Sequence, residues 1–200
     1  YANWIKNNSN VPKNYICPVH SNITHKVLEF KKDKKLAVIF GTEGSRVLIY
    51  RKYFNELKEW VSKNNIKLLD VGPELKDFDL KLLCKDQFNI KIMGKLSSRK
   101  ISNLFSKSFF GIFMTPDDLV DKSGVLSAYS YYKVCPINLH EFSNKNKNKN
   151  KNIKKKRFLK YLPNLKNKNL NTKEIVRYNF RFSRKNSLKE LVNTYKINFN

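Results

Sequence analysis

The sequence predicts an α/β fold: a parallel sheet flanked by helices, with further helices at the C-terminal end. Two observations carry that expectation. Short apolar runs bounded by turn residues recur along the first 140 residues, the pattern of strands buried on both faces. Between them lie stretches whose apolar residues recur at helical spacing. Strand and helix alternating at this interval build a parallel sheet covered on both sides.

The principal strands are LAVIF (36–40), IKLLDV (66–71) and FFGIFM (109–114), with IKIM (90–93) and VCPIN (134–138) as shorter ones. In FNELKEWVSK, Phe54, Leu57, Trp60 and Val61 share one helix face. In SSRKISNLFSK, Ile101, Leu104 and Phe105 do the same, with Ser97 or Ser98 as N-cap. Residues 1–24 include VPKNYICPVHSNI, a proline-punctuated stretch that reads as a linker at the end of a preceding domain. Residues 25–170 form the main domain, interrupted by SNKNKNKNKNIKKKR (143–157), a low-complexity tract with nothing to bury. Residues 171–200 hold two capped helices, one from Asn171 with Glu174 three residues on, the other from Ser187 with Glu190.

Two hundred residues at 40% apolar content suffice for one sizeable core. The chain starts at Tyr1, without methionine, and is expected to be a piece of a longer protein. Nowhere does an apolar run approach the ~18 to 20 residues of a membrane span. Cys17, Cys84 and Cys135 lie far apart, and His20, His25 and His140 form no ligand pattern with them. Reduced thiols in a cytoplasmic protein, with no metal and no cofactor, are therefore expected.

The net charge of +25 invites a nucleic-acid reading, but only seven of the 41 basic residues are arginine. Lysine rising together with asparagine fits codon bias in an AT-rich genome, whereas phosphate recognition favours the arginine fork. The excess is also uneven: +9 over residues 1–142 and +16 over residues 143–200. It belongs mainly to the tail, and nucleic acid is not the expected partner.

Ligands of open parallel sheets sit beyond the carboxyl ends of the strands. Four loops lie there: GTEGSR (41–46), GKLSS (94–98), TPDDLVDKSG (115–124) and NLHE (138–141). In the first, Gly41 and Gly44 let backbone approach an anion and Arg46 brings a permanent charge. It matches neither a dinucleotide fingerprint nor a phosphate loop. In the third, Lys122, Ser123 and Gly124 stand where a helix begins, and free N–H groups and partial positive charge favour an anion there. A diphosphate fits such a place, and an ordinary helix start with a snorkelling lysine is the plainer alternative. Gly94, Lys95 and Leu96 read either as a nucleobase-lining turn or as a plain strand-to-helix turn.

The succession GKLSSRKISNLFSKSFFGIF, then PDDLVDKSGVLSAYSYYKVCPI, resembles the C-terminal half of a GT-B-type glycosyltransferase of the retaining, family-4-like group. Gly94, Leu96, Ser97, Ile101, Ser102, Leu104, Phe105, Ser106, Ser108, Phe110 and Gly111 fill the first part of that pattern. Pro116, Leu119, Lys122, Ser123, Gly124, Val125, Ala128 and Tyr129 fill the second. The resemblance spans about residues 19–142. It implies a Rossmann-like donor domain that binds a nucleotide sugar by its diphosphate and serves transfer to a glycan, lipid or other acceptor. It implies work in the cytoplasm, at the inner face of the membrane, where the basic tail would help. Carried over by position, the diphosphate falls to Gly41, Gly44, Arg46, Lys122, Ser123 and Gly124. Nucleobase and ribose fall to Gly94, Lys95, Leu96, Asp118 and Asp121. No catalytic residue is named. The chain departs from the pattern twice: the second of two spaced glutamates would fall near Ser127 or Ala128, and Lys133 stands where glycine precedes the last strand.

A competing reading is a non-catalytic basic module meeting nucleic acid or an anionic membrane through IKKKRFLKYL and RYNFRFSRK, or an inactive remnant. Helical spacing of Val176, Phe180 and Ser183 favours packing against a missing domain over base stacking.

Overall fold

A computed structural model describes residues 21–23, 31–75, 89–116, 119–140 and 172–177, without the Asp121 side chain. The low-complexity tract, the helix expected from Ser187, Asp118, Cys17 and Cys84 lie outside the described residues.

The first strand, β1 (Asp33–Phe40), leads through two residues into α1 (Glu43–Lys63), then β2 (Lys67–Val71) and β3 (Ile90–Ile92). The chain continues through α2 (Ser98–Lys107), β4 (Ser108–Phe113), a 3-10 turn at Val120–Lys122, α3 (Gly124–Tyr131) and β5 (Cys135–Asn138). Residues 172–177 are helical, and Ile175 is buried. All strand pairings are parallel, in the order β3-β2-β1-β4-β5. The architecture is therefore the expected α/β sheet, Rossmann-like in its winding. The chain winds outward from β1 to β3, then returns to the far side of β1 and winds the other way. Between the carboxyl ends of β1 and β4 lies the switch point, where such sheets leave a crevice.

Period-two alternation assigns the side chains to two layers. Ala37, Ile39, Leu68, Ile112 and Ile137 face α1, which contributes Val47, Tyr50, Leu57 and Val61. Val38, Val71 and Phe113 face the other way, toward Ile101 and Phe105 of α2 and Leu126, Ala128 and Tyr129 of α3. The sequence-predicted faces hold: Phe54 and Trp60 pack partly buried beside Leu57 and Val61, and Leu104 beside Phe105. Trp60 meets Phe110 of β4 edge-on, with ring centroids 5.3 Å apart.

One boundary is corrected. GTEGSR is not a loop throughout: Gly41 and Thr42 alone join β1 to α1, whose 21 residues start at Glu43. The apolar Val47, Ile49 and Tyr50 are buried by this extra length, at a helical spacing that the expected start near Phe54 left out. Tyr53 departs from helical geometry and kinks the element.

On the second face Gly111 answers to Tyr129. A Cβ at Gly111 would come within 2.7 Å of the Tyr129 ring, which lies over it. The Tyr129 hydroxyl donates toward the Val38 and Ile112 carbonyls at 3.2 and 3.1 Å. Burial holds that phenol well above its ordinary range, so it remains a donor. Lys32, just before β1, donates to Phe105 O near the end of α2 (2.6 Å) and to Tyr132 O after α3 (2.7 Å). Burial, and then the Lys133 charge, lower its ammonium to about 7. A neutral amine still has an N–H for each carbonyl. Burial likewise pushes the Cys135 thiol up to about 12, so this free cysteine stays protonated and unreactive.

Lys133 has φ 56°, a left-handed conformation that disfavours any side chain and favours glycine after a helix. The departure from the family pattern thus falls at a strained position. Two predictions follow from this corner. Lys133→Gly should raise stability by about 1 kcal/mol in chemical denaturation, since left-handed geometry costs an L-residue roughly 1 to 2 kcal/mol; unchanged or lower stability refutes the strain argument. Because the folded Lys32 titrates near 7, below its ordinary 10.5, the unfolded chain binds the extra proton between those values. Stability contributed here therefore rises with pH across that window and is flat below it. Subtracting the profile of Lys32→Met from that of the parent isolates the slope; a flat difference contradicts it.

Candidate functional site

The carboxyl edge of the sheet is organised by one buried charge. Alternation along β2 turns Asp70 toward α1, into the apolar layer, where an unpaired carboxylate is costly. Arg46, one turn into α1, supplies the partner. Its Nε donates to Asp70 Oδ2 at 3.2 Å, its Nη2 to Asp70 Oδ1, and its Nη1 to the Pro73 carbonyl at 2.5 Å. Tyr50, the next turn along α1, donates its hydroxyl to Asp70 Oδ2 at 2.5 Å. Burial and the neighbouring carboxylate hold the Tyr50 phenol well above its ordinary range. Arg46 is 1% exposed and Asp70 fully buried.

Gly72 completes the arrangement. A Cβ there would run into the Arg46 guanidinium and the Gly41 carbonyl, so only glycine lets the end of β2 close onto the start of α1. Gly41 N–H donates to Val71 O at 3.4 Å, and Gly72 N–H to Gly94 O at 3.1 Å. The three strand ends are stitched into one rim.

The predicted site residues fall on this rim unequally. At the start of α1, N-cap Thr42 makes no side-chain hydrogen bond to a helix amide. Its hydroxyl meets Ser45 Oγ at 3.0 Å instead. Gly44 is exposed, with nothing within 4 Å of where a Cβ would be. First-turn amides without a side-chain cap accept an anion. The sequence placed Arg46 beside Lys122 as a charge for a ligand. The structure places the guanidinium inside, paired with Asp70, because β2 carries a buried acid that needs it.

Lys122 is exposed in the 3-10 turn, and Ser123 caps α3, accepting from Leu126 N–H at 3.2 Å. Gly124 is the first residue of α3. Both helix starts, of α1 and of α3, follow the two strands that flank the switch point. Nearby, Asn138 at the end of β5 clasps the chain beyond β4: Thr115 N–H donates to Asn138 Oδ1 (3.1 Å), and Asn138 Nδ2 donates to Thr115 O (2.9 Å).

A cleft of about 530 Å³ opens between the start of α1 and the chain beyond β2 and β3, lined by Glu43, Pro73, Glu74, Leu75, Ile92, Gly94 and Lys95. It brings Gly94 and Lys95 next to the start of α1. Gly94 has φ 65°, a left-handed conformation that favours glycine, with open space where a side chain would be. Leu96 is not part of the lining; it packs partly buried against the core beneath α2. Sequence reasoning missed Asp70 and Gly72. An aspartate inside the apolar run IKLLDV is a legible signal, since a buried acid implies a buried partner.

No protein-family profile matches the chain, and no functionally curated protein does. Among solved structures the chain is similar to AviGT4, a glycosyltransferase involved in avilamycin A biosynthesis. Identity is 10% and the TM-score 0.51, over 90% of this chain and 56% of that one. The likeness is one of fold alone, and the chain spans little more than half of that neighbour. Among the described residues no helix is long and apolar enough to cross a membrane.

Removing one partner of a buried pair strands the other charge, at about 3 to 5 kcal/mol. Arg46→Ala and Asp70→Asn should each lower unfolding stability by that order, and the double change Arg46→Met with Asp70→Leu should recover much of it. Urea titrations decide the point: single variants as stable as the parent would show the pair to be dispensable.

Proposed function

We propose that the chain is the nucleotide-sugar-binding half of a glycosyltransferase of the GT-B type, family-4-like and retaining. One observation carries the reading: α1 and α3 are the next α-helices after the strands on either side of the switch point, α1 two residues beyond β1 and α3 beyond the 3-10 turn that follows β4, and α1 lacks a side-chain cap. The spaced motif GKLSS…KSG and the likeness of fold support it.

The donor's diphosphate lies at the start of α1, against the Gly41–Gly44 backbone, and is closed from the other side by Lys122 with the Ser123–Gly124 start of α3. Ser123 can keep its cap and still donate its O–H, because the cap uses only an acceptor site. The nucleoside half occupies the cleft beside Gly94 and Lys95. Arg46 acts at one remove, as a positioning residue: locked to Asp70, it holds α1 so that its amides meet the phosphate. Asp118 and Asp121 keep their proposed place near the nucleobase and ribose. Glycosyl transfer leaves negative charge on the departing diphosphate, and donors preorganised around it stabilise that charge as it develops. The acceptor, a glycan or a lipid, and the remaining half of the site come from outside the described residues, and any contact of the basic tail with an anionic membrane belongs to the same proposal.

Charge-assisted contacts contribute about 1.5 to 3 kcal/mol each. Lys122→Ala should therefore weaken binding of the preferred nucleotide among UDP, GDP and ADP by ~10-fold or more in calorimetry at moderate salt, without changing thermal stability. Unchanged affinity, or weak unselective binding of all three that disappears as salt rises, would overturn the donor reading in favour of a merely basic surface.

A further inference from the structure

At the carboxyl edge β4 and β5 part, and one buried side chain bridges the gap. The backbone ladder pairs Phe113 of β4 with Asn138, the last residue of β5, and Leu139 N–H still donates to Phe113 O at 2.9 Å. Beyond that pair, at Thr115, the side chain of Asn138 takes over from the backbone. Asn138 is fully buried, and its carboxamide engages both main-chain groups of Thr115: Oδ1 accepts from the N–H at 3.1 Å, and Nδ2 donates to the carbonyl at 2.9 Å. The same Oδ1 accepts from His140 N–H at 3.2 Å. An amide bonded at both ends to one residue imitates a further step of the sheet. An apolar side chain of similar size would fill the volume and leave those Thr115 groups without their partner.

What Asn138 holds is the entrance to the segment that carries Lys122. Pro116 comes next, and its carbonyl accepts from Leu119 N–H at 3.0 Å. The Leu119 carbonyl accepts in turn from Lys122 N–H at 2.9 Å, and the Val120 carbonyl from Ser123 N–H at 3.1 Å. Val120 is 1% exposed, packed in the second core layer with Leu126 and Tyr129. Among the described residues, the segment before the α3 cap is thus pinned at Val120 to the core beneath it and at Thr115 to the neighbouring strand. Val120 alone leaves the upstream end free to pivot, and the Asn138 clasp removes that freedom. Lys122 is itself exposed, so its place is set by the backbone on either side of it.

We infer that Asn138 is a positioning residue for the anion site: by clasping Thr115 it sets where the segment through Lys122 stands beside the switch point. The inference rests on the nucleotide-sugar reading for what the site holds, and adds to it the residue on the neighbouring strand that keeps its lysine in place. Asn138, being fully buried, acts through Thr115 and not by contact with a ligand. The effect is one of preorganisation, because a charge-assisted contact keeps its strength only while its donor stays within hydrogen-bond reach.

Two measurements on the full chain test it, with Asn138→Leu, or Asn138→Ala should the leucine variant not fold. Amide hydrogen exchange reads the clasp without a ligand. The variant should exchange faster at Thr115 and also at Leu119, Lys122 and Ser123, while Ala37, Val38 and Ile39 of β1 stay as slow as in the parent. Faster exchange confined to Thr115, or spread evenly over the sheet, overturns the inference. Calorimetry then reads the site. The variant should weaken the nucleotide that the parent prefers among UDP, GDP and ADP by ~10-fold, the scale of one charge-assisted contact. In a Lys122→Ala background the same change should have little effect, since the contact it displaces is already gone. Unchanged affinity, or a loss undiminished in that background, overturns the positioning role while leaving the donor reading standing. If none of the three nucleotides binds the parent, the donor reading fails, and the exchange result alone decides whether Asn138 orders the Lys122 segment.

Discussion

The buried contact between Arg46 and Asp70 is the constraint on which the carboxyl edge depends. A carboxylate inside an apolar layer must be matched by a full charge and its lone pairs filled. Arg46 does the first, and Arg46 and Tyr50 together do the second. Because Arg46 sits one turn into α1 and Asp70 near the end of β2, satisfying the acid also fixes where α1 begins. Gly72 permits the approach, since any side chain there would meet the guanidinium and the Gly41 carbonyl. The position of the first-turn amides of α1 is a consequence of electrostatics in the core.

The opposite face is held by close packing with little charge. Gly111 lets the Tyr129 ring lie on β4, and the Tyr129 hydroxyl reaches the backbone of β1 and β4. Serines on α2 keep that helix slim: Ser102 and Ser106 donate back to carbonyls four residues earlier, and Tyr132 donates to Ser102 Oγ at 2.7 Å. Lys32 then ties the ends of α2 and α3 together. Here burial works against the charge, while the carbonyls at two helix ends work for it. The start of α3, and Lys122 before it, inherit their place from this packing.

These two faces meet at the switch point, and the chemistry of the rim changes along it. Toward β1 and β4 it offers amides and an exposed lysine. Toward β2 and β3 it offers a glycine backbone, apolar walls and two carboxylates. The chain's large positive charge does not bear on that division, because it belongs mostly to residues 143–200.

Local patterning was enough to read the layers. LAVIF, IKLLDV and FFGIFM each became strands in a parallel sheet, and Ser97 became a cap, because burial periodicity and capping are properties of a few neighbouring residues. The glycine at 94 was legible as part of a strand-to-helix turn, and its backbone there is left-handed. Position 133 was legible as a departure from glycine, although its strain was not. What short-range patterning did not show were relations between distant residues. Arg46 looked like a ligand-binding charge until Asp70, 24 residues away, was seen to occupy it. Leu96 looked like a nucleobase contact, and the structure packs it, partly buried, against the core. The sequence by itself determined which residues form strands, helices and caps, since those preferences act over one or two turns of chain. The tertiary structure alone decided which charges face inward and which face the cleft, because a buried carboxylate chooses its partner by proximity in space.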